Sequence, residues 1–353
     1  MNSPEFTPSH FLGATNLLRG LAALSVLLWH YQHFFFTDPS SFEVSQQPFY
    51  PIFKTFYLYG YLAVQLFWAL SGFVLCHSYM SRADASWRQF FWARFSRLYP
   101  LHLITLVTVA ILQLANLRIL GSYKIYEVND LKHFVLNVFF VQSWGFADGY
   151  SFNAPTWSVS VEIAVYILFF ILLKTFKNTG LRGALALLVL WTYATKFFSH
   201  LFFAECLSYF LTGVVIWFAT QAKKSLNSPV IGLASSFFAA FLVGRGDLSS
   251  PSTILIFILC LTAILDTFRT PFRQKAVVRF GKLTYSAFLW HIPLQLVTIL
   301  VLESASATTE VYKSEAFWFF YLVAVYLIAN FSFVFIENPI KLLMIRCSLS
   351  RQN

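Results

Sequence analysis

Windows of about 20 apolar residues, the length a helix needs to cross the hydrocarbon core of a bilayer, recur along this entire chain. Ten are counted, at approximately 17–36, 58–79, 99–118, 157–175, 181–199, 201–219, 230–244, 253–268, 283–302 and 317–336. The seventh and eighth are short, and the fifth and sixth are hardly separated. Composition agrees: 58% of the residues are hydrophobic and 20% aromatic, only 11% are charged, and the mean hydropathy is +0.64. A water-exposed surface cannot absorb that much lipid-compatible side chain, which excludes soluble, disordered and coiled-coil chains. The expected fold is therefore all-α, a polytopic membrane protein with about ten transmembrane helices. The long connection 119–156 carries an amphipathic stretch, Leu131–Gly145, expected to lie at the membrane or dip into it. No sequence repeat or low-complexity segment interrupts the pattern.

A net charge of +10 invites a nucleic-acid reading, so the positions of the 25 Lys and Arg decide its meaning. Seventeen lie in the connections after even-numbered spans and in the C-terminal tail, among them Arg82, Arg94, Arg97, Lys177, Arg279 and Arg346. Connections after odd-numbered spans hold only seven, alongside acids such as Asp148 and Glu303. The positive-inside rule then places both termini in the cytoplasm. Topology and anionic lipid account for the charge, and no nucleic-acid partner is needed. Cys76, Cys206, Cys260 and Cys347 show neither metal-ligand spacing nor a disulfide framework, so no metal site is expected. The segment Met1–Asn16 has no basic region leading into a cleavable apolar stretch, and no signal peptide is read there.

Ionisable groups inside spans are costly, by about 2.5–3.5 kcal/mol on insertion scales, and each requires a reason. Five stand out: Arg19, His30, Glu162, Glu205 and His291. The orientation above puts two of them at one depth. Glu162 lies roughly 7–8 Å below the outer rim marked by Trp157, and His30, on a span running the other way, about 9 Å below it. A carboxylate that holds an imidazole leaves the other ring nitrogen as a general base near neutral pH. The competing account is a structural polar contact between helices, and spacing alone does not choose between them. Arg19 stands roughly 16 Å nearer the cytoplasm than His30 on the same helix, placed either to hold an anion or to snorkel to headgroups. Arg94 and Arg97, three residues apart on one helical face, can grip phosphates or simply mark a cytoplasmic helix end.

Several segments together resemble the acyltransferase-3 family of integral membrane acyltransferases, whose members include O-antigen, exopolysaccharide and nodulation-factor acetyltransferases. They are Arg19-Gly20-Leu21-Ala22 followed by His30, Phe67 through Leu75 with Ser71-Gly72 at its centre, and Arg94-Phe95-Ser96-Arg97-Leu98-Tyr99-Pro100. Pro155 through Glu162 with Trp157-Ser158, Gly281 through Ser286 leading to His291-Ile292-Pro293, and Ile336-Glu337-Asn338-Pro339 complete the set. The resemblance implies transfer of an acyl group, usually acetyl, from cytoplasmic acyl-CoA to a hydroxyl of a glycan or glycolipid at the outer face of the bacterial inner membrane. His30 would be the general base with Glu162 holding it, and Arg19, Arg94 and Arg97 would bind the CoA phosphates. Trp157, Ser158 and His291 are assigned to substrate contact, with Ser158 also open to an acyl-enzyme role. Trp68, Ser71, Gly72 and Glu337 are as readily structural as chemical.

Residues 1–353 are expected to form a single integral membrane acyltransferase domain, with no appended extracytoplasmic domain. The alternative from another class is a proton-coupled transporter or flippase of a lipid-linked or acidic metabolite, using Arg19, His30 and Glu162 as its site. The lack of internal repeat symmetry or paired Gly/Pro-broken helices argues against it. A third reading, a fold that only binds sterols or lipids, fits less well because His30, Glu162 and both arginines of the Arg94–Arg97 pair are intact.

Overall fold

A computed structural model describes residues 9–36, 42–82, 85–194, 197, 202–222 and 275–350. Among the described residues there is no strand. Helix α1 (Ser9–His30) runs into a 3-10 turn, Tyr31–Phe35. Next come α2 (Tyr50–Tyr59) and α3 (Ala63–Tyr79), then α4 (Trp87–Leu120) and the short α5 (Leu131–Val138). They are followed by α6 (Trp157–Ala194), α7 (Phe202–Ala222), α8 (Lys275–Lys282) and α9 (Thr284–Ser304). The last two are α10 (Glu315–Ser332) and α11 (Asn338–Ser350), joined by a π-helical turn, Phe333–Glu337.

Six helical segments among the described residues are long and apolar enough to cross a membrane. The expected span 157–175 and the start of 181–199, as far as Ala194, fall on one helical run, α6, broken at Gly180. There φ is 59° and ψ −142°, a conformation that only glycine adopts without strain. The expected spans 230–244 and 253–268 lie outside the described residues. Large apolar side chains face outward from the long helices, with Ile171 and Val189 of α6 each 68% exposed and Phe320 of α10 67%. Such a surface is stable against lipid and not against water. The amphipathic connection segment also forms, over a shorter stretch than expected. Helix α5 is capped by the Asp130 side chain, which accepts from the His133 backbone N–H at 2.9 Å. It buries His133 and Asn137, packs Phe134 and Val138 against the core, and leaves Leu131 and Val135, with the C-cap Phe139, exposed.

The chain divides into two compact units that alternate along the sequence. The first comprises residues 1–21, 64–84 and 164–282 and contains nearly all of α3 together with α7. These two helices meet backbone to backbone. A Cβ on Gly72 would collide with the Phe210 carbonyl, and one on Gly213 with the Ala69 carbonyl. Lipid offers no hydrophobic drive for helix association, so this close approach, with its dispersion contacts, is what joins them. Leu70, Phe73 and Ile216 pack around the crossing, and Tyr166 donates to the Ser71 hydroxyl at 3.3 Å.

The second unit, residues 22–63, 85–163 and 283–353, contains the end of α1, α4, α5 and α9 to α11. Here α9 packs against both α4 and α10, and α11 against α4. An aromatic cluster fills the end of α1: Tyr31 donates to the Tyr312 carbonyl at 2.7 Å, while Phe34 stacks on Tyr312 and meets Tyr321 edge-on. Ser286 of α9 donates to Glu337 in the π-helical turn, so that buried carboxylate has a structural partner.

Candidate active site

His30 is the last residue of α1 and is 7% exposed. Side chains on a helix lean toward its N-terminus, and the His30 ring reaches back one turn, with Nδ1 2.9 Å from the Val26 carbonyl oxygen. A carbonyl can only accept, so Nδ1 carries the proton and Nε2 keeps the lone pair. The tautomer suited to a base is thus set by the helix itself. Beyond His30 the chain tightens into the 3-10 turn, and the His30 carbonyl accepts a hydrogen bond of 2.8 Å from Gln295 Nε2 on α9. Gln295 Oε1 in turn accepts from His33 Nδ1 at 3.1 Å, and the Tyr126 hydroxyl lies 3.4 Å from His33 Nε2.

His291 lies on α9 beside this group, fully buried, with its ring centroid 4.9 Å from that of His30. His33 is equally close to His30, at 4.9 Å. The His291 Nδ1 donates to the Phe288 carbonyl, while Nε2 is buried without a hydrogen-bond partner among the described residues. Two residues beyond stands Pro293, whose missing N–H deprives the Leu289 carbonyl of its helical donor. Asn153 supplies one from the side, with Nδ2 2.9 Å from the Leu289 oxygen. The 3-10 turn Ala154–Thr156 that leads into α6 is thereby fixed against α9.

The structure therefore brings His30 and His291 together. Glu162 belongs to the same unit, half-buried on the second turn of α6, with Trp157 and Ser158 at the start of that helix. Ser158 donates to the Pro155 carbonyl at 3.1 Å. Arg94 and Arg97 lie half-buried on α4 in this unit, whereas Arg19 belongs to the first unit, on the earlier part of α1. Glu205, also in the first unit, accepts from Gln65 Nε2 at 2.9 Å, a neutral amide partner for an intramembrane carboxylate. Sequence reasoning missed His33, Gln295, Tyr126 and Asn153. His33 was within reach, since the cost that singled out His30 falls on any histidine inside a span. Among the described residues no group of three or more His, Cys, Asp or Glu side chains has a metal-holding arrangement.

The family model described as "Acyltransferase domain", Acyl_transf_3, matches residues 12–336. The chain belongs to the acyltransferase-3 family. Among its relatives, the protein named Acyltransferase MdmB from Streptomyces mycarofaciens is 39% identical over 116 residues, covering 31% of this chain and 27% of that protein. Protein 2 in picA locus of Rhizobium radiobacter is 38% identical over 96 residues, covering 26% of this chain and 41% of the relative. The match to Peptidoglycan O-acetyltransferase OatA of Listeria monocytogenes is longer, 336 residues at 22% identity, covering 80% of this chain and 51% of OatA. The chain thus spans about half or less of the length of each of these relatives. No solved structure matches. Six helical segments among its described residues are long and apolar enough to cross a membrane, consistent with a membrane-embedded domain of that family.

Proposed function

We propose that this protein is a membrane O-acyltransferase that moves an acyl group, acetyl in the simplest case, from cytoplasmic acyl-CoA to a hydroxyl of a glycan or glycolipid at the extracytoplasmic side. The bias of basic residues toward alternate connections supports an orientation with both termini in the cytoplasm of a bacterial inner membrane. The name of the Listeria relative, a peptidoglycan O-acetyltransferase, supports acetyl as the group and a glycan as the class of acceptor.

The observation that carries the reading is the tautomer of His30. Val26 fixes the proton on Nδ1, and the buried Nε2 is left as a base. In the proposed reaction Nε2 takes the proton of the acceptor hydroxyl while that oxygen attacks the thioester carbonyl. The carbon–sulfur bond then breaks, and the departing CoA thiolate recovers the proton from the imidazolium. Glu162 supplies the negative charge that favours the imidazolium, and His291 contacts the acceptor together with Trp157 and Ser158. Arg19, Arg94 and Arg97 hold the CoA phosphates through charge-assisted hydrogen bonds. CoA is a good leaving group, so orientation and a base suffice for transfer.

The test uses membranes carrying the full chain, supplied with radiolabelled acetyl-CoA, and follows label entering envelope glycans of the host. Loss of labelling in His30→Ala, with the protein still folded, is the expected result. Full labelling in folded His30→Ala and Glu162→Ala proteins refutes the site assignment.

A further inference from the structure

The base does not stand on its helix alone. The last carbonyls of any α-helix lack intrahelical donors, and His30 occupies that position on α1. The 3-10 turn that follows, Tyr31–Phe35, has His30 as its N-cap, and the Gln295 amide on α9 gives the His30 carbonyl a further donor at 2.8 Å. A side-chain amide turns easily unless its other end is held, and here His33 donates to Gln295 Oε1 at 3.1 Å. His33 is in turn held by Tyr126, whose hydroxyl lies 3.4 Å from its Nε2. Each donor in this chain meets an acceptor: Tyr126 hydroxyl to His33, His33 to Gln295, Gln295 to the His30 carbonyl. His33 and Gln295 are 2% and 0% exposed, so water cannot replace either partner when one is removed.

The geometry points to His33 and Gln295 as positioning residues for the transfer reaction, which lock the backbone at His30 so that its Nε2 is held on the acceptor hydroxyl. The inference rests on the proposed role of His30 as base. Neither residue need touch substrate. Their effect is on the placement of the base, where an error near 1 Å in a reacting group can cost about a hundredfold in rate. The lock also reaches the 121–130 connection through Tyr126, whose ring lies 6.2 Å from that of exposed Tyr150. The hydrogen-bonded chain therefore ends at Tyr126 in the 121–130 connection, and a ring contact carries it on to Tyr150 in the loop ahead of α6.

The experiment measures acetyl transfer from radiolabelled acetyl-CoA to host envelope material in membranes carrying the full chain, with the melting temperature of each purified variant alongside. Gln295→Leu and His33→Leu are expected to lower kcat about tenfold to a hundredfold and to leave KM for acetyl-CoA within about twofold. His33→Gln, which retains a donor and an acceptor, is expected to recover most of the rate lost in His33→Leu. In a His30→Ala background, Gln295→Leu is expected to change the residual rate by less than about twofold, because there is no base left to misplace. A general structural role would instead lower yield, melting temperature and rate together in either background. Should the leucine variants fail to fold, Gln295→Glu, which keeps the acceptor for His33 but has no amide donor for His30, carries the same expectation for kcat. Wild-type kcat in folded Gln295→Leu or Gln295→Glu, with His30→Ala inactive, overturns the lock and leaves the base reading standing. Full transfer by His30→Ala overturns both.

Discussion

Gly72 of α3 and Gly213 of α7 each face the backbone of the opposite helix, and replacing either with alanine tests what holds the first unit together. The new methyl group would meet a carbonyl, of Phe210 in one case and Ala69 in the other, and neither can swing aside as a flexible side chain would. To restore ordinary carbon–oxygen contact the helices must part by roughly 1–2 Å, and a gap of 0.5–1 Å already forfeits about a quarter to a half of each dispersion contact across it. The contacts at risk are those of Leu70, Phe73 and Ile216. Overpacking of this kind costs about 1–3 kcal/mol, and each kcal/mol lowers the melting temperature by about 2–4 °C. Cys76 on α3 and Cys206 on α7 are buried and outside any disulfide, so with Cys260 and Cys347 replaced by serine a thiol-reactive fluorophore reports the separation of this helix pair on heating in detergent. The double variant is the sharper measurement. Once one methyl has parted the helices the second fits at little cost, so the combined loss should fall short of the sum by about 0.5 kcal/mol or more. Melting of both single variants within about 1 °C of the parent would refute the account of a glycine-mediated crossing.

Three further outcomes follow from other parts of the structure. His30→Ala should lower acetyl transfer by about a hundredfold or more, the usual weight of a general base, without lowering the melting temperature. At α5, the His133 backbone N–H and then its ring hold the Asp130 carboxyl below the ordinary carboxylate range. A depressed value means that the cap stabilises α5 above about pH 4 and is lost as the pH falls through the lower folded value. Hydrogen-exchange protection of amides 131–138, corrected for intrinsic rates, should therefore drop toward pH 3 in the parent, be low throughout in Asp130→Ala, and be independent of pH in Asp130→Asn. The Lys124–Glu303 ion pair, 2.7 Å long with side chains 13% and 23% exposed, should show a coupling of about 1 kcal/mol in a double-mutant cycle. The Lys132–Asp148 pair, with side chains 52% and 74% exposed, should show a coupling near zero.

Much of this architecture was legible because lipid makes sequence patterns blunt. Apolar windows gave the helices, and the cost of burying an ionisable group gave His30 and His291, which the structure brings side by side. The Ser71-Gly72 step was readable as a close helix approach because nothing larger than glycine fits against a carbonyl. What hydropathy could not show was how 157–175 and 181–199, counted as two spans, are joined: by a break in the helix at the single residue Gly180. Nor could it reveal Gln295, which carries no charge to mark it out among the apolar residues of its span. Val26 was beyond reach for a different reason: it acts through its backbone carbonyl, which every residue offers whatever its side chain.

The site is built where the α-helical hydrogen-bond pattern is interrupted, and α9 is the element that exploits it. At the end of α1 the α-helical pattern gives way to a 3-10 turn at the His30 carbonyl, and at Leu289 a carbonyl loses its donor because Pro293 has no N–H. Each of these carbonyls takes a hydrogen bond from a side-chain amide, Gln295 for His30 and Asn153 for Leu289, and in lipid the Leu289 oxygen would otherwise stand unsatisfied at a cost of several kcal/mol. His291 and Gln295 stand one turn apart on the same face of α9, so a single helical surface presents an imidazole to His30 and an amide to its carbonyl. Rotation of α9 by even part of a turn would break both contacts at once. The rigidity required to hold the proposed base in place therefore comes from the same polar contacts that, in a bilayer, hold the helices to one another.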